Sequence, residues 1–159
     1  MLELGRAGTH GAAERVRPVV SGGAVVATLT GSRWRERASA VVAGTPWEYE
    51  AAAAHLHGRR PGDPTDAPRL RARERGWWGR RWTLDLEGTP LDMELVSRVR
   101  GTHRYLFEGL PLATGGSRGV VGRATLTADD SVPLHQQVFL LWIEAVLRGR
   151  RLWAIGSLA

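Results

Sequence analysis

The stretch SVPLHQQVFLLWIEAVLRGRR, residues 131–151, decides the fold of this chain of 159 residues. Its pattern predicts an α-helix over about residues 132–149, with Asp130 or Ser131 as N-cap, Pro133 in the first turn and arginines at the end. Apolar side chains occur on every face of this helix. A helix that is apolar all round is buried on all sides, so we expect it at the centre of the fold. It is too short to span a bilayer, which needs about 20 apolar residues.

The second half of the chain shows apolar side chains at every other position. The pattern runs through RRWTLDLEG (80–88), PLDMELVSRVRG (90–101) and THRYLFEG (102–109), and each run ends at glycine. In the second run it places Val99 on the same side as Met93. This period of two predicts antiparallel strands with one dry face.

The first half carries a weaker strand pattern. Gly22 and Gly23 predict a turn between two β-branched runs, and residues 59–68 predict a loop. Residues 46–58 contain four successive alanines, which favour helix, but also alternating Trp47, Tyr49, His55 and His57. We interpret them as strand.

A single buried helix needs a wall on every side, and no second helix of comparable length is evident in the sequence. We therefore predict a mainly β fold, in which an antiparallel meander closes into a barrel around the hydrophobic C-terminal helix. Residues 1–15 are small and polar and are expected to form a flexible N-terminal arm. Residues 16–159 are expected to form one domain.

A meander that ends in GRATLTADDSVPLHQQVFLLWIEAVL (122–147) resembles the tubby C-terminal-like superfamily, which includes the LURP-one-related proteins. The strand WTLDLEG (82–88) and the helix starting PLH (133–135) are similar to those of small actinobacterial members. The resemblance covers roughly residues 20–150 and implies a closed barrel threaded by a helix. Tubby domains bind phosphoinositides through basic surface residues, which makes an anionic lipid an expected partner. No ligand-binding residue of the family can be matched to a position here.

The composition points to an anionic partner or to a coding bias. The net charge is +6, and all 22 basic residues are arginine, as GC-rich coding would also produce. The absence of cysteine excludes disulfides and thiolate chemistry. No signal-peptide pattern occurs at the start, so a cytoplasmic protein, peripheral at the membrane, is expected.

Candidate catalytic and metal sites are weak. His55 and His57 would share one strand face, but no third ligand lies nearby. The carboxylates Asp85 and Glu87, and Asp92 and Glu94, could hold calcium, although outward charges on a sheet explain them more simply. The sequence carries no nucleophile elbow or phosphate loop. We predict a non-enzymatic protein with no cofactor and no metal.

One stretch combines arginines with tryptophans. Arginine attracts phosphate, while tryptophan suits a membrane–water interface or stacks on bases. The residues of this predicted anion or lipid patch are Arg69, Arg71, Arg73, Arg75, Trp77, Trp78, Arg80 and Arg81.

We therefore predict peripheral binding to an anionic membrane surface or phosphoinositide headgroup, without a transmembrane segment. A nucleic-acid-binding module that uses the same patch is the first alternative. The others are a barrel that binds a protein partner and a lipocalin-type barrel with a free interior, which would require the helix to lie outside.

Overall fold

The structure is a computed structural model that describes residues 1–76, 81–119 and 122–157. Twelve strands form a closed, entirely antiparallel barrel, in which each strand pairs with the next and β12 pairs with β1. The strands are β1 (Leu2–Leu4), β2 (Val16–Ser21), β3 (Ala24–Thr30), β4 (Arg37–Val42), β5 (Thr45–Ala51), β6 (His55–Arg59), β7 (Leu70–Arg75), β8 (Arg81–Leu86), β9 (Thr89–Ser97), β10 (Thr102–Phe107), β11 (Leu110–Arg118) and β12 (Arg123–Ala128). One helix, α1 (Leu134–Gly156), follows. This confirms the predicted fold class.

The alternation of apolar and polar side chains along the strands explains why the barrel wall has a buried inner face and a solvated outer face. In β8, Trp82, Leu84 and Leu86 are buried, while the residues between them are partly exposed. Residues 46–51 lie in β5 and residues 55–58 in β6, with a short connection at 52–54, which confirms the interpretation of this segment as strand rather than helix. The predicted inward position of Val99 is wrong: β9 ends at Ser97, and Val99 is 95% exposed in the following turn.

The helix α1 lies inside the barrel over its first half. Residues 138–146 are all buried, so no face of this segment meets solvent. Its side chains reach opposite parts of the wall: Trp142 donates a 2.8 Å hydrogen bond to the Trp34 carbonyl, and Glu144 contacts β10. Eight strands leave room only for side chains, whereas twelve enclose a wider space that the helix fills.

The two sides of the wall differ in side-chain size. The helix approaches β12, β1, β11 and β4 most closely, and small inward residues, among them Ala40, Ala113 and Ala124, line this side. Trp47, Trp82 and other large side chains fill the wider gap on the far side. Small residues opposite large ones give close packing without voids.

A buried polar cluster fixes the helix in the barrel. The Glu144 carboxylate, 3% exposed, accepts a 2.6 Å hydrogen bond from the Tyr105 hydroxyl and lies 3.0 Å from Nδ1 of His103. Gly115 on β11 leaves the space for this carboxylate, because a Cβ there would collide with it. Buried charge is tolerated only with such partners. The cluster therefore selects one rotation and one depth of α1.

Two sequence predictions need correction at the first strand and the helix start. Leu2 and Leu4 are buried in β1, which pairs with both β2 and β12, so a flexible arm is wrong for residues 2–4. The barrel cannot close without this strand. Asp130 and Ser131 do not cap the helix: its N-cap is Pro133, and no side chain caps it. The Asp129 carboxylate instead accepts a hydrogen bond from the Ser131 amide in the preceding turn.

The helix end also differs from the prediction. Instead of ending near residue 149, α1 continues to Gly156. Arg150 donates hydrogen bonds to the carbonyls of Ala52 and Ala53, at 2.7 and 3.0 Å, and Arg151 donates one to the carbonyl of Arg98. These arginines join the helix to the barrel rim rather than ending it.

The two buried tyrosines give a matched test of the polar cluster. The Tyr105 hydroxyl donates a hydrogen bond to the Glu144 carboxylate, whereas the buried Tyr49 hydroxyl has no partner within residues 1–76, 81–119 and 122–157. Loss of a hydrogen bond to a charged group costs about 2 kcal/mol, whereas removal of an unpaired buried hydroxyl is neutral or stabilising. We expect Tyr105→Phe to lower the free energy of unfolding by about 2 kcal/mol and Tyr49→Phe not to lower it. Urea denaturation measures both, and equal losses would contradict the assignment.

Candidate functional site

The barrel end from which α1 emerges differs in charge from the other end. We call it the arginine end. It comprises the strand connections 5–15, 31–36, 52–54, 98–101 and 119–122 (119 and 122 described), with helix residues 148–157. Its described side chains include nine arginines and two glutamates: Arg6, Arg15, Arg33, Arg35, Arg98, Arg100, Arg148, Arg150 and Arg151, with Glu14 and Glu36.

The opposite end has the reverse charge. Its connections are 22–23, 43–44, 60–69, 87–88, 108–109 and 129–133. They carry six carboxylates and two arginines: Asp63, Asp66, Glu87, Glu108, Asp129 and Asp130, with Arg60 and Arg69. The net charge of +6 is therefore unevenly distributed, with one end of the barrel positive and the other negative. Such a charge distribution orients the molecule toward an anionic partner.

Large apolar side chains are exposed at the arginine end. Leu152, Trp153 and Ile155 at the end of α1 are 57%, 80% and 65% exposed, and Val99 lies in the turn between Arg98 and Arg100. Apolar side chains beside arginines are typical of surfaces that enter the headgroup region of a membrane.

A pocket of about 430 Å³ lies at the same end, where α1 passes between β1, β12 and the β3–β4 connection. We call it the arginine pocket. Arg17 and Arg35 each place a guanidinium 4.6 Å from the ring centre of Trp34. The arginines that line the pocket are Arg6, Arg17, Arg35, Arg123 and Arg148.

The charges of this pocket are largely uncompensated. Arg123 pairs with Glu3 at 2.8 Å, but among the described residues the other four arginines have no ion pair and no side-chain hydrogen bond. Nε of Arg148 is buried and has no hydrogen-bond partner in the part of the chain that the structure describes. Burial, followed by repulsion from Arg35, lowers the pKa of Arg17, and burial lowers the pKa of Arg35. Burial and like charge thus make the charged forms of Arg17 and Arg35 unfavourable. A bound anion would stabilise both charges.

Two glycines leave the space in which the Arg35 and Arg148 side chains pack. A Cβ at Gly149 on α1 would lie 2.7 Å from Cδ of Arg35, so the Arg35 side chain packs directly on the helix backbone. Gly122, at a φ of +62°, likewise admits the Arg148 guanidinium. The pocket is therefore built by close packing.

The described part of the predicted patch contains both arginines that are paired with carboxylates and arginines that are not. Arg69 pairs with Asp63 at 2.7 Å, and Arg71 lies 3.8 Å from Asp85. Among the described residues, the exposed Arg73, Arg75 and Arg81 have no ion pair. The remaining members, Trp77, Trp78 and Arg80, lie outside the described residues.

Arg75 and Arg81 form a cross-strand pair at the arginine end, so the unpaired part of the patch adjoins that end. The paired part, Arg69 and Arg71, points toward the acidic end.

The candidate metal residues are spread out. His57 lies 3.5 Å from Glu50, and the outward Glu94 pairs with Arg104. Within residues 1–76, 81–119 and 122–157, no three histidines or carboxylates gather at metal-binding distance.

The buried Glu144 cluster is unsuited to catalysis because its three side chains are closed to solvent. Burial and the Glu144 carboxylate raise the pKa of Tyr105 well above its usual range. The hydroxyl therefore stays protonated as a hydrogen-bond donor. The cluster is a structural tie between α1 and β10.

Comparisons with family models, curated proteins and solved structures gave no match to this chain. The resemblance to the tubby-like superfamily therefore stays a prediction. In the part of the chain that the structure describes, no helix has the length and hydropathy required to cross a bilayer.

The arginine pocket was missed by the sequence analysis. Its arginines lie far apart in sequence. Closure of the barrel, and the emergence of α1 at this end, bring together Arg6, Arg17, Arg35 and Arg148. The one local signal was an arginine on either side of Trp34, in the run SRWRER at 32–37. Arg6 fell within the predicted arm.

Repulsion in the pocket predicts a salt effect on stability. The Debye length falls from about 30 Å to about 3 Å between 0.01 and 1 M salt, which screens like charges. We expect the melting temperature to rise with sodium chloride in the wild type and to rise less in Arg17→Gln. Arg73→Gln, an exposed control on β7, should retain the wild-type response. Identical salt responses in all three would show that the pocket charges do not repel.

Proposed function

We propose that this protein is a non-enzymatic, peripheral binder of anionic lipid surfaces and that it docks through the arginine end. The observation that carries the proposal is the coincidence, at one end of the barrel, of nine arginines with exposed Leu152, Trp153 and Ile155. The acidic end would then face away from the membrane.

The magnitudes favour combined electrostatic and apolar binding. Each arginine near an anionic membrane contributes about 1 kcal/mol, and this attraction decays within a Debye length. Burial of apolar surface contributes about 25 cal/mol per Å², which gives about 2 kcal/mol for a large side chain such as Trp153. Neither contribution holds a protein on a membrane alone, but several arginines with two or three apolar side chains do.

The exposed aliphatic side chains favour lipid over nucleic acid. Both partners attract arginine, and tryptophan can stack on a base. Leu152 and Ile155, however, gain little from phosphates or base faces, whereas a bilayer removes them from water. Nucleic acid is therefore the second candidate, and the experiment below includes it.

Only part of the predicted patch around β7 contributes to the proposed docking surface. Arg69 and Arg71 are neutralised by carboxylates near the acidic end, so we assign them no role. Arg75 and Arg81 lie beside the arginine end and would reach the same surface. Trp77 and Trp78 stay candidates from sequence alone.

Liposome flotation of the full chain tests the proposal. Vesicles of neutral phosphatidylcholine are compared with vesicles rich in phosphatidylserine, which carry a strongly negative surface potential, over a salt series. We expect flotation with the anionic vesicles only, weakened by salt. Trp153→Ser, and separately Arg98→Gln with Arg100→Gln, should each reduce binding at least tenfold, since each change removes about 2 kcal/mol and about 1.4 kcal/mol corresponds to tenfold.

Matched control variants test whether binding depends on the position of the arginines and apolar side chains, rather than on the total charge and hydropathy of the protein. Val41→Ser removes an exposed apolar side chain from the barrel wall, and Arg60→Gln removes an arginine from the acidic end. Both should bind like the wild type. If the wild type fails to float at low salt, or if the controls and the docking variants fall equally, the proposal is wrong. Stronger retention by single-stranded DNA than by vesicles would favour the second candidate.

A further inference from the structure

We infer that the arginine pocket binds one phosphate monoester group, either a lipid headgroup or a soluble phosphate ester. The inference rests on the proposed function only for the lipid as a source of that group. The pocket is a separate, concave feature of the arginine end, and a flat docking surface would not need it.

The charge of the pocket fits a dianion. Arg6, Arg17, Arg35 and Arg148 line it without a carboxylate partner among the described residues. A phosphate monoester carries a charge of about −1.5 to −2 at pH 7, because its second pKa is about 6. A carboxylate or a phosphodiester carries one charge and would leave most of these guanidinium groups uncompensated. Burial and, second, repulsion from Arg35 lower the pKa of Arg17, and a doubly charged group compensates both unfavourable effects best.

The donor geometry also fits phosphate. A guanidinium presents a planar fork of N–H groups that binds two phosphate oxygens at once. Arg6, Arg17, Arg35 and Arg148 make no side-chain hydrogen bond among the described residues, so the N–H groups that they expose in the pocket remain available to an anion. A volume of about 430 Å³ accepts a phosphorylated headgroup or a small phosphate ester, and it is too small for a folded nucleic acid.

The arginines are held in place before a ligand arrives. The Arg17 and Arg35 guanidinium groups both lie against Trp34, and the Trp34 carbonyl is fixed by Trp142 of the buried helix. Gly149 and Gly122 receive the Arg35 and Arg148 side chains by close contact. Preorganised groups lose less conformational entropy on binding, which increases affinity.

The position of the pocket makes a lipid source accessible. Arg35 also borders the grooves formed with Leu152 and Trp153, so the pocket adjoins the exposed apolar end of α1. A protein docked through those side chains would hold the pocket at headgroup level. The same pocket is open to a dissolved phosphate ester.

Calorimetric titration of the full chain with glycerol 3-phosphate tests the pocket directly. Glycerophosphocholine, a phosphodiester, is the control ligand at matched ionic strength. We expect glycerol 3-phosphate to bind at least tenfold more tightly than the diester. Arg148→Gln and Arg17→Gln should each weaken it at least tenfold, whereas Arg73→Gln on the outer face of β7 should change it less than twofold. Thermal unfolding confirms that each variant is folded.

A vesicle arm identifies the source of the phosphate. Phosphatidic acid presents a phosphate monoester, whereas phosphatidylserine presents a diester, and the two are compared at equal surface charge. Preference for phosphatidic acid that disappears in Arg148→Gln shows that the pocket takes a lipid headgroup. Binding of glycerol 3-phosphate without such a preference assigns the pocket to a soluble ester.

The two proposals fail in different ways. If both ligands bind equally, or if the pocket variants bind glycerol 3-phosphate like the wild type, the phosphate inference is wrong, even when anionic vesicles still bind. If glycerol 3-phosphate binds through the pocket but no vesicle does, the membrane proposal is wrong and the phosphate site stands.

Discussion

Burial of an all-round apolar helix is the constraint on which the rest of this structure depends. Residues 138–146 have no face that water could solvate, and a single helix cannot bury itself. The wall must therefore surround α1, which requires twelve strands and makes the short β1 indispensable for closure. Glu144 fixes the orientation of the buried helix, because its carboxylate can bond both Tyr105 and His103 in one orientation only. The exit point of α1, and with it the arginine end, follows from that orientation.

The helix also organises the chemistry of the barrel end. Its last turns project beyond the wall and expose Leu152, Trp153 and Ile155, while Arg150 and Arg151 bond the carbonyls of the surrounding turns. One turn closer to the core, Arg148 lines the arginine pocket, and Gly149 leaves room for the Arg35 side chain. A single element thus supplies the core, the apolar tip and part of a concave cationic site. Two described carboxylates, Glu14 and Glu36, accompany the nine arginines of the arginine end, which leaves most of its positive charge uncompensated.

Sequence patterns predicted the core well because burial follows local periodicity. The alternation in β8 and the unbroken apolar run in α1 depend on neighbouring residues, and both were confirmed. The role of β1 was missed because three residues, Leu2–Leu4, are too short to show a period. The helix end was misplaced because the run from Arg148 to Arg151 looks like a C-terminal signal, whereas Arg150 and Arg151 bond carbonyls of the barrel rim and α1 continues to Gly156. The arginine pocket was out of reach, since Arg6, Arg17, Arg35 and Arg148 meet only through closure of the barrel. The predicted patch around β7 could not be divided into paired and unpaired arginines before Asp63 and Asp85 were placed.

The central claim is that one end of the barrel meets an anionic surface while the other faces away. Hydrogen–deuterium exchange of the full chain, free and bound to phosphatidylserine vesicles, tests it most directly because it reports on each segment separately. We predict slower exchange on binding in residues 31–36, 98–101 and 148–157, with no change in residues 60–69 and 87–88 at the acidic end. Protection centred on the acidic end, or spread evenly around the barrel, would contradict it.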